Sequence, residues 1–154
     1  MVKYAVRVTL NLMFPRLGGG FVMVARSDWF KRSPHAQFFP AGTVLFRQGQ
    51  LGDVMYVVQE GEVDILIGET VIETVGEGGL FGELALIDNR PRNATAVART
   101  GCHLIPVDET RFTMLVRETP FFALQVMEAM AGRLRDIDAR LSSGEYQAVK
   151  PENS

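Results

Sequence analysis

The chain has 154 residues, 47% of them hydrophobic and 22% charged, which suits one soluble globular domain with short extensions. A net charge of −2 and a pI near 5.7 give no global electrostatic reason to bind nucleic acid or an anionic membrane. Cys102 is the single cysteine and His35 and His103 are the only histidines. That composition excludes an intrachain disulfide and a cysteine cluster for zinc or iron–sulfur, and it leaves little for a histidine metal centre or a Ser-His-Asp triad.

The first 26 residues are apolar but interrupted by Lys3, Arg7 and Arg16, and no run reaches the roughly 18 apolar residues of a spanning helix. They resemble a secretion signal only loosely, for want of a small-x-small cleavage site. Gly18, Gly19 and Gly20 lie two codons ahead of Met23, the spacing of a translated ribosome-binding tract. Met23 is therefore the expected native start, and residues 1–26 are set aside as an unassigned extension.

Between Phe38 and Val107, short apolar runs alternate with turn residues, a pattern that predicts strands. "FFPAGTVLF" reads as a strand, a Pro40-Ala41-Gly42 turn and a second strand from Thr43 to Phe46. Gly49 and Gly52 turn the chain within "RQGQLGD", and "VMYVVQ" follows as a buried strand. Gly61 punctuates it, and "EVDILI" then sets Val63, Ile65 and Ile67 on one face. A tight turn at Gly68 leads to "TVIETV", and Gly76, Gly78, Gly79 and Gly82 crowd the loop beyond. "NATAVA" and "CHLIPV" read as further strands, with Pro106 expected at a strand end. Six or seven short strands at this spacing predict a small barrel or a two-sheet roll.

The chemistry concentrates in "FGELALIDNRPRNATAVA", residues 81 to 98. Gly82 to Leu86 is expected to form a short helical turn whose first N–H groups lack intrahelical partners and whose end is positive, a setting for an anion. Gly82 lets a ligand approach the backbone. Arg92, returned by a turn at Asp88-Asn89 and held by Pro91, adds a forked and permanently charged donor. These features fit a phosphate. Glu83 would repel that phosphate and suits a neighbouring hydroxyl, whose hydrogen bond it can accept. Taken singly, Glu83 reads as a helix-start acid and Arg92 as a turn residue or as the ion-pair partner of Glu83. Taken with the glycines, the two read as a pocket for a phosphorylated sugar.

After Val107 the pattern becomes helical. Asp108 is placed to cap a helix beginning "ETRFTMLV", with Glu109 near its positive end. Thr119-Pro120 opens another, which runs through "FFALQVMEAMAGRLRDIDARL" to Leu141. Met127, Met130, Leu134, Ile137 and Leu141 step by three and four, an apolar seam for either the barrel or a second copy of the chain. Residues 143–154 form a polar tail, expected to be flexible.

"FGELALIDNRPRNATAVA" closely resembles the phosphate-binding cassette of cyclic-nucleotide-binding domains. That family includes bacterial catabolite-activator transcription factors, protein kinase A regulatory subunits and cyclic-nucleotide-gated channels. "GQLGDVMYVVQEGEVDI" is similar to the family's second signature, a turn and two strands ahead of the cassette. The resemblance covers about residues 30 to 141. It implies a mainly β fold over residues 27–142, a double-stranded, jelly-roll-like β-roll of about eight strands with a leading helix and trailing B and C helices.

By the same resemblance, Gly82, Glu83, Leu84 and Ala85 would line the ribose-phosphate, with Glu83 on the 2′-hydroxyl. Arg92 would hold the cyclic phosphate, with Asn93 and Ala94 beside it. Asn93 stands where the family more often has Ala, Ser or Thr, and its amide suits either phosphate or a base edge. The family closes its C helix over the base, and Arg133, Ile137 and Asp138 fall on that part of the helix. Ile137 is apolar where some bacterial relatives carry Thr. Asp138 suits guanine N1 and N2, or else a solvated face paired with Arg133 or Arg135.

The expected function is a non-enzymatic cytoplasmic sensor of a cyclic nucleotide, cAMP favoured over cGMP, in which the ligand shifts the C helix. Its expected partners are the nucleotide, a second copy of the chain through the C helix, and an effector protein. No cofactor, metal, membrane or DNA contact is expected. The alternative is a fragment or relative of a catabolite-activator-type regulator, whose helix-turn-helix would follow the C helix. Here a short polar tail follows Leu141. A cupin-type metalloenzyme would need clustered His and carboxylate ligands, and a relative that had lost its ligand would need neither Glu83 nor Arg92.

Overall fold

The computed structural model describes residues 28–144. The expected start at Met23, the extension before it and the tail beyond residue 144 lie outside the described residues. Among the described residues, eight strands form two antiparallel four-stranded sheets. One holds β1 (Gln37–Phe39), β8 (Cys102–Asp108), β3 (Val54–Glu60) and β6 (Leu80–Phe81), in that order. The other holds β2 (Val44–Phe46), β7 (Thr95–Ala98), β4 (Val63–Ile67) and β5 (Thr70–Val75). This is the expected β-roll.

Side-chain alternation explains the layers. In β3, Val58 joins the core between the sheets, while Met55 and Val57 face the other way. In β8, Cys102 and Leu104 point inward and Ile105 and Val107 outward. Both strands are thus covered on two sides, which is why "VMYVV" and "LI" read as unbroken apolar runs. The inner face meets Val63, Ile65, Ala96 and Ala98 of the second sheet. Pro106 lies inside β8 rather than at its end, opposite Tyr56. The β1 pairing has ended at Gln37 and Leu104, so beyond that point one side of β8 is a free edge, where a strand tolerates proline.

Helices cover the outer face. A 3-10 turn at Asp28–Arg32 leads the domain; α1 (Glu83–Asp88) separates β6 from β7; α2 (Glu109–Glu118) and α3 (Pro120–Ser143) follow β8. Asp108 caps α2 by accepting the Arg111 N–H at 2.8 Å, and Pro120 opens α3. Phe30, Leu115, Phe122 and Val126 bury against Met55, Val57, Ile105 and Val107. Trp29 and Phe112 meet the Phe122 ring edge-on, with centroids 5.9 and 5.4 Å away.

The expected apolar seam of α3 divides. Met130 packs against this second core, whereas Met127, Leu134, Ile137 and Leu141 remain exposed. Phe121, Phe122 and Val126 seat the helix instead. None of the helices among the described residues is long and apolar enough to cross a membrane.

Candidate functional site

Strand β6 delivers the chain to Gly82, whose φ of +81° starts the turn into α1. The helix lasts six residues and ends at Asn89, in the left-handed region at φ 55°, whose N–H donates to the Ala85 carbonyl at 3.1 Å. Asp88 Oδ1 accepts the Arg90 N–H at 3.0 Å, so the reversal falls where the sequence puts it. Arg92 is then pinned to the β2–β3 turn from both sides of its peptide. Its N–H donates to the Gln50 carbonyl and its carbonyl accepts from the Gly49 N–H, each at 2.8 Å.

The Arg92 side chain turns inward and is only 6% exposed. Nη1 donates to the Gly82 carbonyl at 2.9 Å and Nη2 to the Val54 carbonyl at 2.5 Å. The guanidinium also lies over the Phe46 ring, 4.1 Å from its centroid. Nε is buried without a partner. Burial pushes the Arg92 pKa down, and Tyr56, Asp53 and Glu83 pull it partly back. A buried cation with an unspent donor is costly unless an anion completes it. Two glycines make the room: a Cβ on Gly52 would stand 2.5 Å from Nη2, and one on Gly82 2.9 Å from Nη1.

Glu83 opens α1 and is 2% exposed. Its ion-pair partner is Arg133 of α3, through Nη1 and Oε1, and not Arg92. Arg133 also donates from Nε to Glu73 Oε2 at 2.7 Å and from Nη2 to the Leu80 carbonyl at 2.6 Å. Burial pushes the Arg133 pKa down, but Glu83 and Glu73 outweigh it and the net shift is upward. About two turns further along α3, Arg140 donates to the Ile72 carbonyl at 2.8 Å.

These groups surround one cavity of about 400 Å³. Gly82, Glu83, Leu84 and Ala85 line it together with Arg92, Asn93 and Ala94, and α3 adds Arg133 and Ile137. Asp138, also expected there, is exposed and outside the lining, while Asp136 and Arg140 stand at it. At 3.6 residues per turn, positions 133, 136, 137 and 140 share a face that 138 leaves. Sequence reasoning missed Phe46, Glu73 and Arg140. Stepping by three and four from Arg133 finds Asp136 and Arg140, but nothing in a single sequence brings β5 against α3.

The cavity lining combines the guanidinium-bearing Arg92, the carboxylate-bearing Glu83 and the apolar side chains of Ile65, Ile67, Ile72, Leu134 and Ile137. Those three kinds of group suit an anion, a hydroxyl and a flat ring. No cluster of His, Cys, Asp and Glu fit for a metal ion occurs among the described residues.

Residues 36–119 match the cyclic nucleotide-binding domain family. The cAMP-dependent protein kinase regulatory subunit of Eremothecium gossypii is 41% identical over 80 residues, 52% of this chain and 18% of that protein. The chain therefore spans a small part of that curated relative. Among solved structures, the catabolite activator protein of Thermus thermophilus is 27% identical with a TM-score of 0.63, over 88% of this chain and 63% of that one. A chain solved in connection with a cyclic-GMP-dependent signalling pathway of bacterial phytopathogenesis is 30% identical with a TM-score of 0.52, over 78% of this chain and 91% of that one.

Proposed function

The chain belongs to the cyclic nucleotide-binding domain family, and from that membership we propose that its cavity binds a cyclic nucleotide and that binding shifts α3, a regulatory and non-catalytic role. Arg92 carries this reading: it lines the cavity as a buried guanidinium, aimed by two backbone carbonyls, and its Nε has no partner. The cyclic phosphate is assigned to Arg92, with Asn93 and Ala94 beside it, and the ribose 2′-hydroxyl to Glu83. The base lies against Ile137 beneath α3.

We assign cAMP ahead of cGMP, because the base end of the cavity is largely apolar and the kinase subunit named above is cAMP-dependent. The exposed Asn93 amide and the relative from a cyclic-GMP pathway make cGMP the competitor to test. A second copy of this chain is the proposed occupant of the exposed α3 stripe, and an effector protein reads the movement of that helix. One buried cysteine, Cys102, suits a reducing cytoplasm.

Calorimetric titration with cAMP and cGMP tests the reading. Arg92→Ala removes a charged hydrogen-bond donor, and the expected loss is about 1.5–3 kcal/mol, or roughly 10- to 150-fold in affinity. Unaltered binding by a folded Arg92→Ala variant sinks the phosphate assignment. The likeness to a catabolite activator over 88% of the chain favours a second reading, a transcriptional regulator. That reading requires nucleotide-dependent affinity for duplex DNA, measurable by fluorescence anisotropy, whereas the sensor reading requires none from this chain.

A further inference from the structure

We propose that Glu73 is a positioning residue for sugar recognition: it holds Arg133 so that Glu83 keeps one carboxylate oxygen for a ribose hydroxyl. The inference rests on the cyclic-nucleotide reading and extends it to the choice between ribose and 2′-deoxyribose ligands.

A guanidinium offers five N–H donors on a rigid planar fork. In Arg133 the Nε and Nη2 edge faces both oxygens of Glu73, at 2.7 and 3.4 Å, and Nη2 also reaches the Leu80 carbonyl at 2.6 Å. Nη1 is the one nitrogen left for Glu83, and it meets Oε1 alone. Arginine and carboxylate prefer a two-point, parallel pairing. With Glu73 absent, the Leu80 carbonyl alone holds that edge of Arg133, which can then rotate onto Glu83 and take both of its oxygens. A ligand hydroxyl would then have to displace a charged partner from a carboxylate that is 2% exposed.

The placement of Glu73 fits that task. It lies on β5, an edge strand of its sheet, and its side chain borders the cavity with 32% exposure. Sequence-distant by 60 residues, it is nonetheless the closest acidic contact of Arg133 apart from Glu83 itself. A brace for α3 alone would serve equally well from a residue that did not touch the arginine shared with Glu83. Here the same guanidinium divides between the two acids, and its orientation toward one fixes what the other has to spare.

The test compares four ligands on the full chain by calorimetry: cAMP, cGMP and their 2′-deoxy counterparts. In the wild type, each ribonucleotide is expected to bind about 10- to 150-fold more tightly than its 2′-deoxy form, the range for one hydrogen bond to a charged acceptor. Glu73→Ala is expected to erase most of that ratio, chiefly by weakening the ribonucleotides. Glu73→Gln, which keeps an acceptor for Nε, should fall between, and it carries the test if Glu73→Ala shows no cooperative melting. Equal weakening of ribo and deoxy ligands, with the ratio intact, makes Glu73 a brace only and overturns the proposal. A wild-type ratio near one overturns it as well. Failure of the folded wild type to bind any of the four overturns the cyclic-nucleotide reading itself.

Discussion

At Arg92 the fork is aimed before any ligand arrives, because Gly82 and Val54 carbonyls hold its two terminal nitrogens. Such preorganisation raises affinity by removing ordering costs from the binding step. It depends on what Gly52 lacks, since a Cβ there would stand 2.5 Å from Nη2 and 2.6 Å from Nε. Gly52→Ala is therefore expected to fold and melt cooperatively yet bind cyclic nucleotide about tenfold or more weakly, as when one charged hydrogen bond is lost. Calorimetry beside a thermal melt checks this, and wild-type affinity would mean the guanidinium tolerates displacement. Arg92 and Glu83 were legible in the sequence because both fall in one 18-residue segment, residues 81 to 98, with glycine beside Glu83. The Glu73–Arg133–Glu83 cluster was not, because its pairs are 60 and 50 residues apart and no local pattern marks them.

The elements show the same division. Strands with a period or a glycine boundary were readable, as were the caps of α2 and α3. Strand β6 is two residues long within a glycine-rich loop, too short for any alternation to register. In α3 the three-and-four spacing identified the helix but not its seat, since Phe121, Phe122 and Val126 are buried while only Met130 of the expected seam packs against the core. Phe122 is fully buried and touches both Trp29 and Phe112, so Phe122→Ala should cost about 3–5 kcal/mol of stability, read as a lower denaturant midpoint. Trp29, the single tryptophan, stands against the base of α3 and should report its movement. Saturating cyclic nucleotide is expected to shift Trp29 emission in the wild type and not in Arg92→Ala. Full ligand occupancy with unchanged emission would separate binding from motion of that helix end.

Across the whole molecule, α3 carries two loads on one rod. Its first turns are fixed in the second core, and Arg133, Ile137 and Arg140 then border the cavity. Met127, Leu134 and Leu141, seven residues apart, are 61%, 61% and 56% exposed. That spacing is the repeat by which paired helices keep one seam in register. Covering it with a second copy would order α3 from outside while a nucleotide orders it from the cavity, and two events that favour one helix position must strengthen each other equally. Wild-type protein is expected to dimerise with a concentration-dependent sedimentation coefficient, and nucleotide to lower the dimer dissociation constant. Met127→Glu with Leu141→Glu should yield a monomer, because it places charges on the seam and leaves every cavity-lining side chain in place. Linkage then sets the size of the remaining effect: the monomer's nucleotide affinity should fall by the same factor by which nucleotide tightens the wild-type dimer. A wild-type chain that sediments as a monomer at every concentration, with or without ligand, would leave the stripe to a different partner and remove the dimer from the signalling path.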